Sequence, residues 1–95
     1  MIKEELINKG ERLYNAIKEV SMNHMPKMSY EGMDENDYRT LVLWYEQVLA
    51  FLKQNDKNEE YEDIKRIKYQ TPVWGQYAVN KNSVWEIICK LKALV

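Results

Sequence analysis

Apolar residues recur at helical spacing over most of this chain. In the first segment, about residues 2 to 22, Leu6, Leu13, Ile17 and Val20 share one stripe, and Lys3, Glu4, Glu11 and Lys18 face away from it. That pattern predicts an amphipathic helix. Gly10 falls on the same stripe, where it either weakens the helix or lets another backbone come close. Residues 23 to 33 interrupt the pattern and read as a loop. Pro26 turns Met25 away from helical geometry, and Gly32 stands just ahead of the next start signal. That signal is Asp34, whose carboxylate can accept from the amides of the following turn. Glu35 and Asp37 add negative charge where the helix dipole is positive.

The second predicted helix, about 35 to 54, carries Tyr38, Leu41, Val42, Tyr45, Val48, Leu49 and Leu52 at steps of three and four. Trp44 and Phe51, seven apart, widen the apolar face to one side. Asp56 and Glu59 have capping-box spacing and open a third, mostly polar helix of about 57 to 69, with Tyr61, Ile64 and Ile67 as its apolar positions. Glu62 and Arg66 on it stand four apart in the favourable order. Residues 70 to 82 include Val73, Trp74, Tyr77 and Val79, too apolar for a free loop. A short strand, a helical turn and an ordered loop packed on the core all fit them. Ser83 and Glu86 form a second capping box ahead of a last helix, about 84 to 94, burying Val84, Ile87, Ile88, Leu91 and Leu94.

Four such helices predict an all-α fold, a small helical bundle forming one domain over residues 1–95. The predicted core includes Leu13, Ile17, Leu41, Tyr45, Val48, Leu52, Ile88 and Leu91. A variant completes the core by homo-oligomerisation, because Trp44 and Phe51 leave a second apolar flank. Composition agrees with helices: 3 Gly and 2 Pro leave few turn formers for an all-β chain of 95 residues.

Charge narrows the partners. The formal net charge is −1, without the positive excess that duplex nucleic-acid binders use to neutralise phosphates. No apolar run of 18 residues is available to span a membrane. The start, Met1-Ile2-Lys3-Glu4-Glu5, has no signal-peptide core. A lone Cys89 makes no intramolecular disulfide, so a reducing, cytoplasmic setting is expected.

Catalysis needs converging polar groups, and the supply here is one His, one Cys and no glycine-rich phosphate loop. A non-enzymatic protein without cofactor or metal is therefore expected. Cys89, beside the last helix's apolar stripe, reads as a packed, inert thiol. His24 has no partner at catalytic or metal spacing. The Met22 to Met28 segment has the soft donors of a Cu(I) site, but reads as methionines covering an irregular surface. Glu31, Asp34, Glu35 and Asp37 could meet a basic partner, though capping and solvation account for them.

Seven Tyr and three Trp against one Phe favour half-wet positions such as interfaces. Trp44, Phe51, Tyr30, Trp74 and Tyr77 are the interface candidates. Tyr30, Lys81, Asn82 and Ser83 are candidates for holding an anion at the last helix's start.

The run Tyr30-Glu31-Gly32-Met33-Asp34-Glu35-Asn36-Asp37-Tyr38 leading into a long helix is similar to the entry of the phage anti-CBASS cyclic-oligonucleotide sponges. Trp74 ahead of Asn80 to Ser83 is similar to that family's tryptophan before a capped final helix. The resemblance implies an all-helical homo-oligomer that sequesters a cyclic nucleotide between subunits. Two departures stand against it: Glu31 replaces the arginine that usually follows the tyrosine, and Glu86-Ile87-Ile88 replaces a Gly-Phe-Met-like stretch. Small four-helix bacteriocin-immunity proteins share size and class only. The leading expectation is a binding protein of the kind phages and mobile elements carry, an inhibitor or adaptor docking on a host defence protein. The sponge is the alternative.

Overall fold

The computed structural model describes residues 2–22 and 25–94, with the backbone alone for 25–27. The order is α1 (Lys3–Asn15), β1 (Lys18–Met22), β2 (Met25–Gly32), α2 (Glu35–Gln54), α3 (Asn58–Lys65) and α4 (Lys81–Lys92). The all-α expectation is thus overturned. The fold is α+β, four helices and a two-stranded antiparallel sheet.

The first expected helix stops seven residues early. Ala16, in helical geometry, closes α1, and its amide donates back to Arg12 and Leu13. Val20, placed by periodicity on the helical stripe, instead lies in β1 opposite Tyr30. Residues 25–32, expected as loop, form β2. Proline belongs at sheet edges, and the outer side of Pro26's strand is such an edge. Lys18 pairs with Gly32 and Ser21 with Ser29, and an irregularity follows at Met22.

The second helix matches its expected bounds, but its inward face is rotated. Leu41, Trp44, Val48 and Leu52 are all fully buried, while Tyr45 is half-buried. Trp44 therefore has no surface to offer a partner. Its indole N–H donates to the Leu6 carbonyl at 2.8 Å. A Cβ on Gly10 would lie 2.4 Å from Trp44 Cζ2. The Gly10 gap thus admits a ring, not a second backbone.

α1 packs on α2 and α4, and α3 packs on the same two. The core they enclose joins Leu6, Leu13, Ile17, Leu41, Trp44, Val48 and Leu52 to Ile64, Val84, Ile87, Ile88 and Leu91. Phe51 lies half-buried against it. Tyr45 tops the core: its hydroxyl donates to the Ile64 carbonyl at 3.1 Å and its ring meets Tyr69 at 4.7 Å.

Capping departs from expectation at three helix starts. Asp34 precedes α2 but gives its first turn no side-chain bond; its carboxylate takes Lys18 Nζ at 2.7 Å. Lys57, not Asp56, stands before α3, and Asp56 adopts φ 56°. α4 starts three residues early because Asn80 Oδ1 accepts from the Ser83 amide at 3.1 Å. Arg66 reaches Asp63 at 3.7 Å, the i, i+3 neighbour, where Glu62 was the expected partner. Cys89, expected to be packed, is exposed.

Candidate functional site

The hairpin brings most of the sequence candidates together. Residues 77–79 run antiparallel along the outer edge of β2: Val79 N–H donates to the Glu31 carbonyl at 3.0 Å and Met33 N–H to the Tyr77 carbonyl at 3.1 Å. Two consecutive turns precede that segment. Trp74 N–H donates to the Thr71 carbonyl at 3.1 Å, and Ala78 N–H to the Gly75 carbonyl at 3.2 Å. Pro72 suits the second position of the first turn by its fixed φ. At the second, absence of a side chain matters: a Cβ on Gly75 would lie 2.7 Å from Tyr30 Oη and 2.9 Å from its Cζ. The Tyr30 ring thus lies against Gly75 and joins the turns to the hairpin.

Between Ser29–Glu31 and the turns opens a cleft of about 360 Å³, lined by Met28, Ser29, Tyr30, Thr71, Trp74 and Asn82 among others. Two of its lining side chains are large apolar groups left exposed, Trp74 at 52% and Met28 at 46%. On the other side of the strand a second cleft, about 490 Å³, is polar, with Lys18, Glu19, Glu31 and Lys81 around it. There Ser29 Oγ donates to Glu19, and Lys18 is tied to Asp34, whose carboxylate raises the lysine's pKa above its ordinary value.

The interface candidates separate. Tyr30 and Trp74 share the apolar cleft, whereas Trp44 is core and Phe51 half-buried. Tyr77 is held away: its hydroxyl donates to Glu35 Oε1 at 2.9 Å and its ring meets Tyr38 at 5.4 Å. That hydrogen bond raises the Tyr77 pKa.

Of the anion candidates, Tyr30 and Asn82 line the apolar cleft together. Lys81 extends its ammonium over the Tyr14 ring, 4.8 Å from the centroid, and the Ser83 amide is taken by Asn80. Both departures weaken an anion site. The acidic residues also have partners: Glu35 meets Arg39 at 3.0 Å, and Glu31 Oε1 accepts from the Lys81 amide at 3.2 Å. His24 lies outside the described residues. Among the described residues no His, Cys, Asp and Glu side chains group as a metal site needs.

Sequence reasoning missed Met28 and Ser29 as cleft residues. In the sequence Met28 reads as one of the methionines covering an irregular surface.

A third groove, about 520 Å³, runs along α2 between Tyr38, Tyr45 and Tyr69. Tyr69 is nearly enclosed, at 5% exposure, and burial pushes its pKa well above the ordinary phenol value of 10.0. Folding thus favours the neutral phenol. Its contribution to stability is complete below pH 10 and is lost as pH climbs from there towards the raised folded value. Thermal midpoints measured across alkaline pH should fall more steeply for the natural chain than for Tyr69→Phe. Parallel curves would show that Tyr69 does not carry the effect.

No described helix is long and apolar enough to cross a membrane. Compared with protein-family models, curated proteins and solved structures, the chain matches none.

Proposed function

We propose that this chain is a non-enzymatic binding protein of the cytoplasm that docks on another protein through the face formed by Met28, Tyr30 and Trp74, acting as an inhibitor or adaptor. The observation that carries this reading is the 360 Å³ cleft, where two large apolar side chains, Met28 and Trp74, stand exposed around one concavity beside the Tyr30 ring. Grouped exposure of this kind leaves apolar surface in water that a partner can cover. Tryptophan and tyrosine at the centre of such a surface concentrate binding energy. Exposed apolar groups scattered singly, such as Leu43 and Ile2, carry no such argument.

A second reading, sequestration of a cyclic oligonucleotide by a homo-oligomer, draws on the shared placement of Tyr30, Trp74, Asn80 and Asn82 in that cleft. Rings and amides there could stack on and bind bases. The engagement of Lys81 by Tyr14 leaves the phosphates without their expected cation.

Native mass spectrometry of the full chain, purified without refolding together with any co-purifying species, separates the two. A retained protein, released when Trp74 is changed to Ala, is the expected result. A retained nucleotide of defined mass, with no protein, would overturn the docking reading in favour of the second.

A further inference from the structure

The free edge of β2 begins where residues 77–79 leave it. Glu31 and Met33 turn their main-chain groups towards that segment. Main-chain groups alternate sides along an antiparallel strand. Ser29, two residues before Glu31 and opposite Ser21 in the β1 ladder, therefore turns its N–H and C=O to the same outer edge. Asn80 ends the paired segment by capping α4, which carries the chain away from the strand. Among the described residues nothing pairs with Ser29 on that edge. The cleft lined by Ser29, Thr71 and Trp74 lies there instead.

Resting on the docking reading above, we propose that the cleft's occupant is an extended peptide segment of the partner, added to β2 as a further strand beside Ser29. The molecule already shows this edge accepting an extended segment, since residues 77–79 occupy its other end. The added strand continues the same hydrogen-bonded line. An unpaired edge offers donors and acceptors at strand spacing, which a helix or a folded surface cannot match. Every second side chain of the peptide would lie over Met28 and Trp74, so the partner segment alternates apolar with polar residues. Both kinds of contact are needed: main-chain bonds give generic affinity, and the apolar rim selects the sequence.

The test is a selection of short random linear peptides, displayed on yeast, against the immobilised full chain. Enriched peptides are then synthesised and titrated in solution. Apolar residues should recur at every second position. Ser29→Pro removes one outward amide and no main-chain bond to β1, and of side-chain bonds only the exposed one from Ser29 Oγ to Glu19, so circular dichroism should be unchanged while affinity falls about tenfold or more. In the natural chain, the Ser29 and Glu31 amides should gain protection from hydrogen exchange when the peptide binds. This measurement stands even if the proline variant fails to fold. Failure to enrich any peptide, peptides without alternation, or unchanged exchange at Ser29 overturns strand addition. Peptides that lose affinity with Trp74→Ala but bind Ser29→Pro normally leave the docking face standing and remove the strand. If both variants bind as the natural chain does, both readings fall. Concentration-dependent dimers abolished by Ser29→Pro would assign the edge to a second copy and overturn the peptide partner.

Discussion

Trp44→Ala should cost about 3–5 kcal/mol by denaturant titration, a large share of the roughly 5–15 kcal/mol typical of a domain. The indole is fully buried on the inward stripe of α2 and fills the gap that Gly10 leaves in α1. Truncation removes the ring's contacts and leaves a cavity that α1, α2 and α4, all packed on one another through α1, can close only in part. The same geometry gives a sharper check on Gly10. In an open helix, Gly→Ala stabilises by about 1 kcal/mol. Here the new Cβ would stand 2.4 Å from a ring carbon that is locked by its N–H bond to Leu6. Gly10→Ala should therefore destabilise by about 1–3 kcal/mol through overpacking. In a Trp44→Phe background, which lacks the obstructing carbon, its cost should shrink or reverse. A Gly10→Ala effect of the same size in both backgrounds would show that the ring is not what fills the gap.

Helices were legible where local periodicity decides the outcome, and the hairpin was not. α2 reads off its own sequence because twenty residues carry one consistent repeat and its polar first turn marks the start. Its facing was misread for a geometrical reason. Tyr38, Val42, Tyr45 and Leu49 lie beside Leu41, Trp44, Val48 and Leu52, so the apolar arc is wide enough to hold two stripes. Only the partner helices choose between them, and Gly10 was the one hint that a large ring lay opposite. At Val20 the difficulty is longer range. Its spacing from Leu13 and Ile17 suits a helix, yet its stabilising neighbour is Tyr30, ten residues on and across a strand pair. Periodicity within one segment carries no information about that pairing. Pro26 and Gly32, read as loop signals, are equally at home on an edge strand and at its end. Similarly, Asn80 and Ser83 both have capping side chains. The structure shows the earlier one closing on the later one's amide, which moved the helix start and took Ser83 out of the anion set. Of the candidate site, Tyr30 and Trp74 were visible as polar-tipped rings. Their approach was not, because it depends on Gly75 allowing the Tyr30 ring against a turn some forty-five residues away.

Trp74→Ala should weaken binding to a co-purifying partner about thirtyfold, the equivalent of roughly 2 kcal/mol for a ring central to an interface, with little change in thermal midpoint. The two effects separate because Trp74 is 52% exposed in the free chain, so folding already leaves half of its surface in water for a partner to cover. Trp85 provides the internal control. It is 40% exposed, but its ring meets Tyr14 at 5.0 Å and lies under Lys92 at 5.2 Å, outside the residues that line the cleft. Trp85→Ala should cost some stability through the lost ring contact and leave affinity unchanged. A charge variant, Glu35→Gln with Asp37→Asn, tests the competing idea that acidic residues recruit the partner. Glu35 is shared between Arg39 and the Tyr77 hydroxyl, so its loss should act mainly on the association rate and on salt dependence. Titration calorimetry at two salt concentrations, with folding checked by circular dichroism, compares all three. Normal binding by the folded Trp74 variant together with failure of the charge variant would remove the apolar face from the interface and put the acidic surface in its place.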